Sequence, residues 1–223
     1  MTLPLIGLTG YKRHGKDRTA AELASLAGYT PAAFADPLRD FVRAINPVVA
    51  LHPDATPTDY TTEGMLRYRD VVDDLGYEEA KNDYPEVRGS LVAIGQAVRD
   101  NLGIKWGLND LLGGRGLWVA LAEQRIRKAL ARRQYDRETN SMAHVWGERL
   151  VFTDVRMPDE ADLIRSFGGV IIRVVRPGAP IPGADEVTER ALDDYTVDGT
   201  VENDGTPEGL RARVEALLAD LRK

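Results

Sequence analysis

Short apolar runs alternate with stretches whose apolar residues recur at helical spacing. Residues 3–10, LPLIGLTG, form an apolar run that closes on glycine, the pattern of a parallel strand buried on both faces. KDRTAAELASLAG (16–28) predicts a helix, because Ala20, Ala21, Leu23, Ala24 and Ala27 supply helix formers and apolar contacts and Gly28 stops it. YTPAAFAD (29–36) predicts a second strand, weakened by Pro31. Pro37 then opens a short helix over LRDFVRAIN, with Phe41, Val42 and Ile45 along one side.

Residues 47–89, rich in proline, aspartate and tyrosine, are the least regular part and read as either a helical insertion or a mobile loop region. Two amphipathic helices follow, SLVAIGQAVRDNLG (90–103) and LWVALAEQRIRKALARR (117–133). ERLVFTDVRM (148–157) predicts a strand, PDEADLIRSFGG (158–169) a helix with a proline start and a glycine stop, and VIIRVVRPG (170–178) the strongest strand. A loop and short helix (179–195), a last short strand in TVDGTVENDG and an amphipathic helix from Thr206 complete the pattern. Strands alternating with helices define an α/β fold, a parallel sheet covered on both faces.

Composition narrows the chemistry. The 223 residues suit one sizeable α/β domain with an insertion, or at most two small domains. A net charge of −6 disfavours coating of nucleic acid, so an anionic small substrate needs locally concentrated arginine and lysine. The absence of cysteine excludes disulfides, thiolate metal sites and a cysteine nucleophile, and His14, His52 and His144 are too scattered to suggest a zinc cluster. No apolar run approaches the ~20 residues that cross a bilayer, and no signal peptide is evident. A cytoplasmic protein that engages no membrane and no nucleic acid is the expectation.

The candidate chemistry lies at the first strand-to-helix turn. Gly10, Gly15 and Lys16 fit G-x-x-x-x-G-K-[ST], in which backbone N–H groups and a lysine cradle polyphosphate, except that Asp17 replaces the hydroxyl that binds Mg²⁺. The match follows a predicted strand and opens a predicted helix, whose N-terminus attracts phosphate. Mg²⁺ prefers oxygen ligands and keeps several waters, so a carboxylate can replace the hydroxyl directly or through one water. Asp17 is therefore either a metal ligand or a helix cap favoured by the dipole. Lys12, Arg13 and Arg18 add positive charge, either at phosphate or in solvent.

GYKRHGKDRTA (10–20) resembles the phosphate loop of bacteriophage deoxynucleoside monophosphate kinases, P-loop kinases with a G-K-D variant of this motif. The resemblance continues in FADPLRD (34–40), in GQAVRDNLG (95–103) followed by Trp106, in FTDVRMPDEADLIRSFGGVIIRVVRPG (152–178) and in VENDGTPEGL (201–210). It implies a P-loop NTPase-type parallel sheet flanked by helices, with a core at about 1–46 and 107–223, a helical acceptor-binding insertion at about 47–106 and a lid at about 177–195. It also implies ATP with Mg²⁺ as donor, a deoxynucleoside 5′-monophosphate as acceptor, and a possible homodimer. Where such kinases carry a His-x-Ser-Glu-like element near the lid, this chain has DEVTER (185–190), and of its residues Glu189 is the one carried over.

Phosphoryl transfer between two anions needs positioning and charge neutralisation. Lys16 is expected to bridge the β- and γ-phosphates, with Arg13 and Arg156 as further catalytic candidates and Mg²⁺ near Asp17 and Asp154. Asp154 is either such a second carboxylate or a residue that positions a substrate arginine or caps the next helix. The acceptor phosphate calls for a guanidinium fork, for which Arg39, Arg88, Arg99 and Arg176 are candidates, with Asp36, Gln96, Trp106 and Glu189 as further substrate contacts. Tyr60, Tyr68, Tyr77 and Tyr84 either stack on the acceptor base or pack. Arg125, Lys128 and Arg132 either reach phosphate from a lid or belong to a surface helix balanced by Glu123 and Asp136. Other readings are a small-molecule kinase for dephospho-coenzyme A or a mevalonate phosphate, and a nucleotide-binding switch. No Asn-Lys-x-Asp marks a GTPase.

Overall fold

A computed structural model describes residues 5–51, 64–138, 148–181, 183 and 187–222. His52, Tyr60, His144 and Glu186 lie outside the described residues. The chain divides into two compact units, residues 1–34 with 119–223, and residues 35–118.

The first unit is built on a five-stranded parallel sheet of order β2-β5-β1-β6-β7, with β1 (Ile6–Thr9), β2 (Tyr29–Ala32), β5 (Arg149–Phe152), β6 (Val170–Val175) and β7 (Gly199–Glu202). β1 pairs with β5 and β6, matching Ile6 with both Val151 and Val170. Successive residues point to opposite faces. Ile6, Leu8, Val151, Ile172 and Val174 therefore pack with α1 (Lys16–Ala27) and α10 (Pro207–Asp220). Leu150, Phe152 and Ile171 pack with α7 (Leu117–Glu138) and α8 (Pro158–Ser166). This is the expected α/β class, and its strand order is consistent with a P-loop NTPase-type fold.

Local signals explain the element ends. Gly28 ends α1 in the left-handed region at φ 67°, and its N–H closes on Ala24 and Leu23. β2 stops at Ala32, short of the expected Asp36, and Pro31 is tolerated because β2 is an edge strand. β5 covers only the first half of the expected 148–157 strand, since Asp154 to Met157 turn toward the N-terminus of α8.

The second unit is more regular than its composition suggests. It contains α2 (Asp36–Ile45), the antiparallel pair β3 (Val48–Leu51) and β4 (Met65–Arg67), α3 (Tyr68–Leu75), α4 (Tyr77–Asp83), α5 (Pro85–Ala97), a π-helical stretch over Val98–Lys105 and α6 (Leu108–Leu111). Val42, Val49, Tyr68, Val71, Ala80, Val87 and Leu91 form its own core. The unit starts before the expected position 47 because Val42 of α2 belongs to that core. The β3–β4 pair was not foreseen, since strands of four and three residues are too short to display a period.

Candidate functional site

β1 is flanked by β5 and β6, so the chain reverses its direction of strand addition at the carboxyl end of β1, where open α/β sheets bind ligands. The loop from Gly10 to Gly15 leaves from that point. Gly10 adopts φ 130°, and a Cβ there would lie 2.2 Å from the carbonyl oxygen of Val174. Gly15 adopts φ 97° as the N-cap of α1, where a Cβ would lie 2.1 Å from Asn203 Nδ2. Both glycines are thus required by conformation and by close approach. Between them Arg13 also takes a left-handed conformation, φ 66°, and His14 N–H closes a turn on Tyr11 O at 3.2 Å.

His14 and Asn203, neither foreseen from sequence, fasten this loop. His14 is 5% exposed, and its Nδ1 lies 3.3 Å from both the amide nitrogen of Arg176 and the carbonyl oxygen of Val174. Burial holds the imidazole below its usual range, against the bond to Val174. Asn203, also 5% exposed, donates from Nδ2 to His14 O at 3.0 Å. Asn203 lies in the VENDGTPEGL run and directly after a strand, but neither fact ties it to the loop. Nothing separated His14 from the variable positions of the motif.

Lys16 stands in the first turn of α1. Its Nζ donates to Gly10 O at 2.5 Å and to Tyr11 O at 3.0 Å. Burial lowers its pKa, with the Arg156 charge adding to the effect and Glu189, Asp17 and Asp154 opposing it. Lys16 is thus a part-buried cation facing three carboxylates and one guanidinium, the kind of perturbed titratable cluster that marks candidate functional sites. Asp17 and Arg18 are exposed on the same turn, as are Lys12 and Arg13 on the loop.

β5 delivers the second part of the cluster. Asp154 Oδ1 accepts from Phe34 N–H at 2.7 Å, tying the exit of β5 to the segment after β2. Glu160 accepts from the amides of Arg156 at 2.7 Å and Met157 at 3.1 Å, with Pro158 in the first turn of α8. Burial raises the Glu160 pKa to about 7, partly offset by those amide bonds. Arg156 Nη1 pairs with Glu189 Oε1, and Glu189 Oε2 accepts from Lys12 N–H at 3.0 Å. Glu189 therefore meets the loop itself. Arg176 contributes its backbone amide to His14, while its side chain is exposed.

The remaining candidates lie in the second unit. Arg39 pairs with Asp36 at 2.9 Å and lies over the Tyr77 ring, 5.0 Å from its centroid. Gln96 donates to Asp100 at 2.9 and 3.0 Å and accepts from Arg99 at 3.4 Å. Arg88 is exposed, and Trp106 is 73% exposed after the π-helical stretch. Tyr68 is a core residue of this unit, not a stacking platform. In the first unit, Arg125 pairs with Glu148 at 2.5 Å and Arg127 with Glu123 at 2.6 Å, in keeping with a charge-balanced surface helix.

Among the described residues no group of three or more histidines or carboxylates is placed to cage a metal ion. Asp17 and Asp154 both act on the Lys16 charge. One or two carboxylates completed by phosphate and water is the usual donor set for Mg²⁺, and Asp17 and Asp154 are two carboxylates of that kind. Among the described residues no helix is long and apolar enough to cross a membrane.

No protein-family model matches the chain, and no curated protein matches it. Among solved structures it is similar to the crystal structure of TT1252 from Thermus thermophilus, at 20% identity and a TM-score of 0.36 over 99% of each chain. That likeness is too slight to extend the description of fold or site.

Proposed function

We propose that this protein is an ATP-dependent (deoxy)nucleoside monophosphate kinase, in which the loop from Gly10 to Lys16 holds the polyphosphate of ATP. The observation that carries this reading is the loop at the carboxyl end of the central strand. Two left-handed glycines expose its backbone, and a desolvated lysine opens the following helix. Backbone N–H groups at a helix N-terminus favour phosphate, and Lys16 can exchange the loop carbonyls it now bonds for phosphate oxygens.

In this reading Lys16 and Arg156 neutralise charge that spreads over the transferred group, and no covalent intermediate is needed. Magnesium arriving with the nucleotide would be held by Asp17 and Asp154 and would neutralise the phosphates. Arg39, Arg88 and Arg99 are the acceptor-phosphate candidates, and Gln96 and Trp106 the base candidates. The resemblance to phage deoxynucleoside monophosphate kinases, and the matching G-K-D and Asp-Val-Arg-x-Pro-x-Glu runs, support this choice of acceptor.

The test is ADP release with a panel of nucleoside monophosphates, dephospho-coenzyme A and phosphomevalonate. Stimulation by deoxynucleoside monophosphates is expected. Stimulation by another acceptor alone would reassign the substrate, and hydrolysis indifferent to every acceptor would point to a nucleotide switch. Lys16→Ala should lower kcat by at least about 100-fold while circular dichroism and the urea midpoint stay near wild type. Turnover within a few fold of wild type would remove Lys16 from the chemistry.

A further inference from the structure

A carboxylate stands where the loop would hold an anion. Both oxygens of Glu189 are engaged, one by the Lys12 amide at 3.0 Å and the other by the Arg156 guanidinium, and its side chain is 7% exposed. A loop amide and a guanidinium converging on two oxygens of one anion form the donor set that suits a phosphate edge. The charge of Glu189 also reaches the Lys16 ammonium. Glu189 thus occupies donors that a ligand phosphate would need.

The way this carboxylate is mounted allows it to leave. It belongs to the short helix α9 (Val187–Arg190), and the chain beyond is fixed by Leu192, which is buried in the core. Further fixing comes from Arg173, which donates to Leu192 O and Tyr195 O. Toward the loop the contacts are polar: Glu189 to Lys12 and Arg156, and Tyr11 Oη donating to Asp193 at 2.9 Å. Under them lies a cavity of about 210 Å³ lined by Gly10, Tyr11, His14, Val174, Glu189 and Asp193, among others. Moving the Glu189 end breaks these polar contacts, which a ligand can replace.

We propose that Glu189 is an exchangeable internal anion, which holds the Lys12 amide and Arg156 in the unliganded protein and yields them to a phosphate of the ligand. The inference rests on the phosphate-loop reading above and adds the atoms that exchange. Lys12 N–H and Arg156 come to share one phosphate, and α9 swings about the Leu192 anchor. Part of the binding free energy is spent on displacing the resident carboxylate, so the apparent affinity falls by the fraction of molecules in which the loop is open.

Two measurements on the full chain test this, both with metal-free tripolyphosphate as the probe. Calorimetric titration should show Glu189→Gln, which keeps the size and the acceptor oxygen but not the charge, binding about tenfold more tightly than wild type. Hydrogen exchange on the wild-type protein, which needs no variant to fold, should show amides 187–191 exchanging faster once tripolyphosphate is bound. Glu189→Gln affinity equal to or weaker than wild type overturns the exchange, and so does unchanged or slower exchange of those amides. Uptake by neither protein overturns the exchange, and the phosphate-loop reading falls with it only if ATP with magnesium is refused as well. Uptake by the wild-type protein without the gain removes the exchange alone.

Discussion

At the scale of single residues, the loop is governed by what cannot be added to it. A methyl group at Gly10 would meet the Val174 carbonyl oxygen at 2.2 Å, in a backbone conformation that side chains avoid. Gly10→Ala should lose tripolyphosphate binding and cost about 1–3 kcal/mol of stability, read from calorimetry and urea denaturation. A fully stable Gly10→Ala protein would mean that the loop can relax away from β6. Asp17 presents the opposite case, an exposed carboxylate whose value depends on what it meets. Asp17→Ser should keep nucleotide binding and shift its magnesium dependence, measured as ATP affinity across a magnesium titration. An unchanged dependence would reduce Asp17 to a helix cap.

At the scale of elements, α8 carries a titratable cap. The Glu160 carboxyl titrates at about 7 in the folded protein, against an ordinary value of 4.5. Between those values the folded state retains a proton that the unfolded chain has released, so stability falls as pH rises from about 4.5 to about 7 and then levels. Glu160→Gln should flatten that slope, seen as a smaller change in urea midpoint between pH 5 and pH 8. An equal slope in both proteins would place the titration elsewhere. Elements with several concordant signals were legible in the sequence. The α1 helix ran between the motif lysine and Gly28, and β6 stood out as a β-branched run. The pairing of β3 with β4 was not legible, because strands of four and three residues are too short to show alternation. The candidate site divided in the same way. Gly10, Gly15 and Lys16 were readable from spacing, whereas the hold of His14, Asn203 and Glu189 on the loop arises only when β6, α9 and β7 arrive beside it.

At the scale of the whole molecule, the cores follow the division into two units. Val87 is fully buried in the cluster of the second unit, separate from the two clusters that cover the sheet. Val87→Ala should destabilise that unit by about 1–3 kcal/mol. Native-state hydrogen exchange should accelerate for amides of α3 to α5, while those of β1 and β6 keep their protection. Equal loss of protection in both units would show that they unfold as one.

The tether from Asn203 to His14 gives the end of the chain authority over its beginning. A nascent polypeptide grown only as far as β6 already contains the full G-x-x-x-x-G-K-D text, yet lacks the amide side chain against which Gly15 turns. The support that Asn203 gives to His14 and Gly15 is then completed only when β7 docks beside β6.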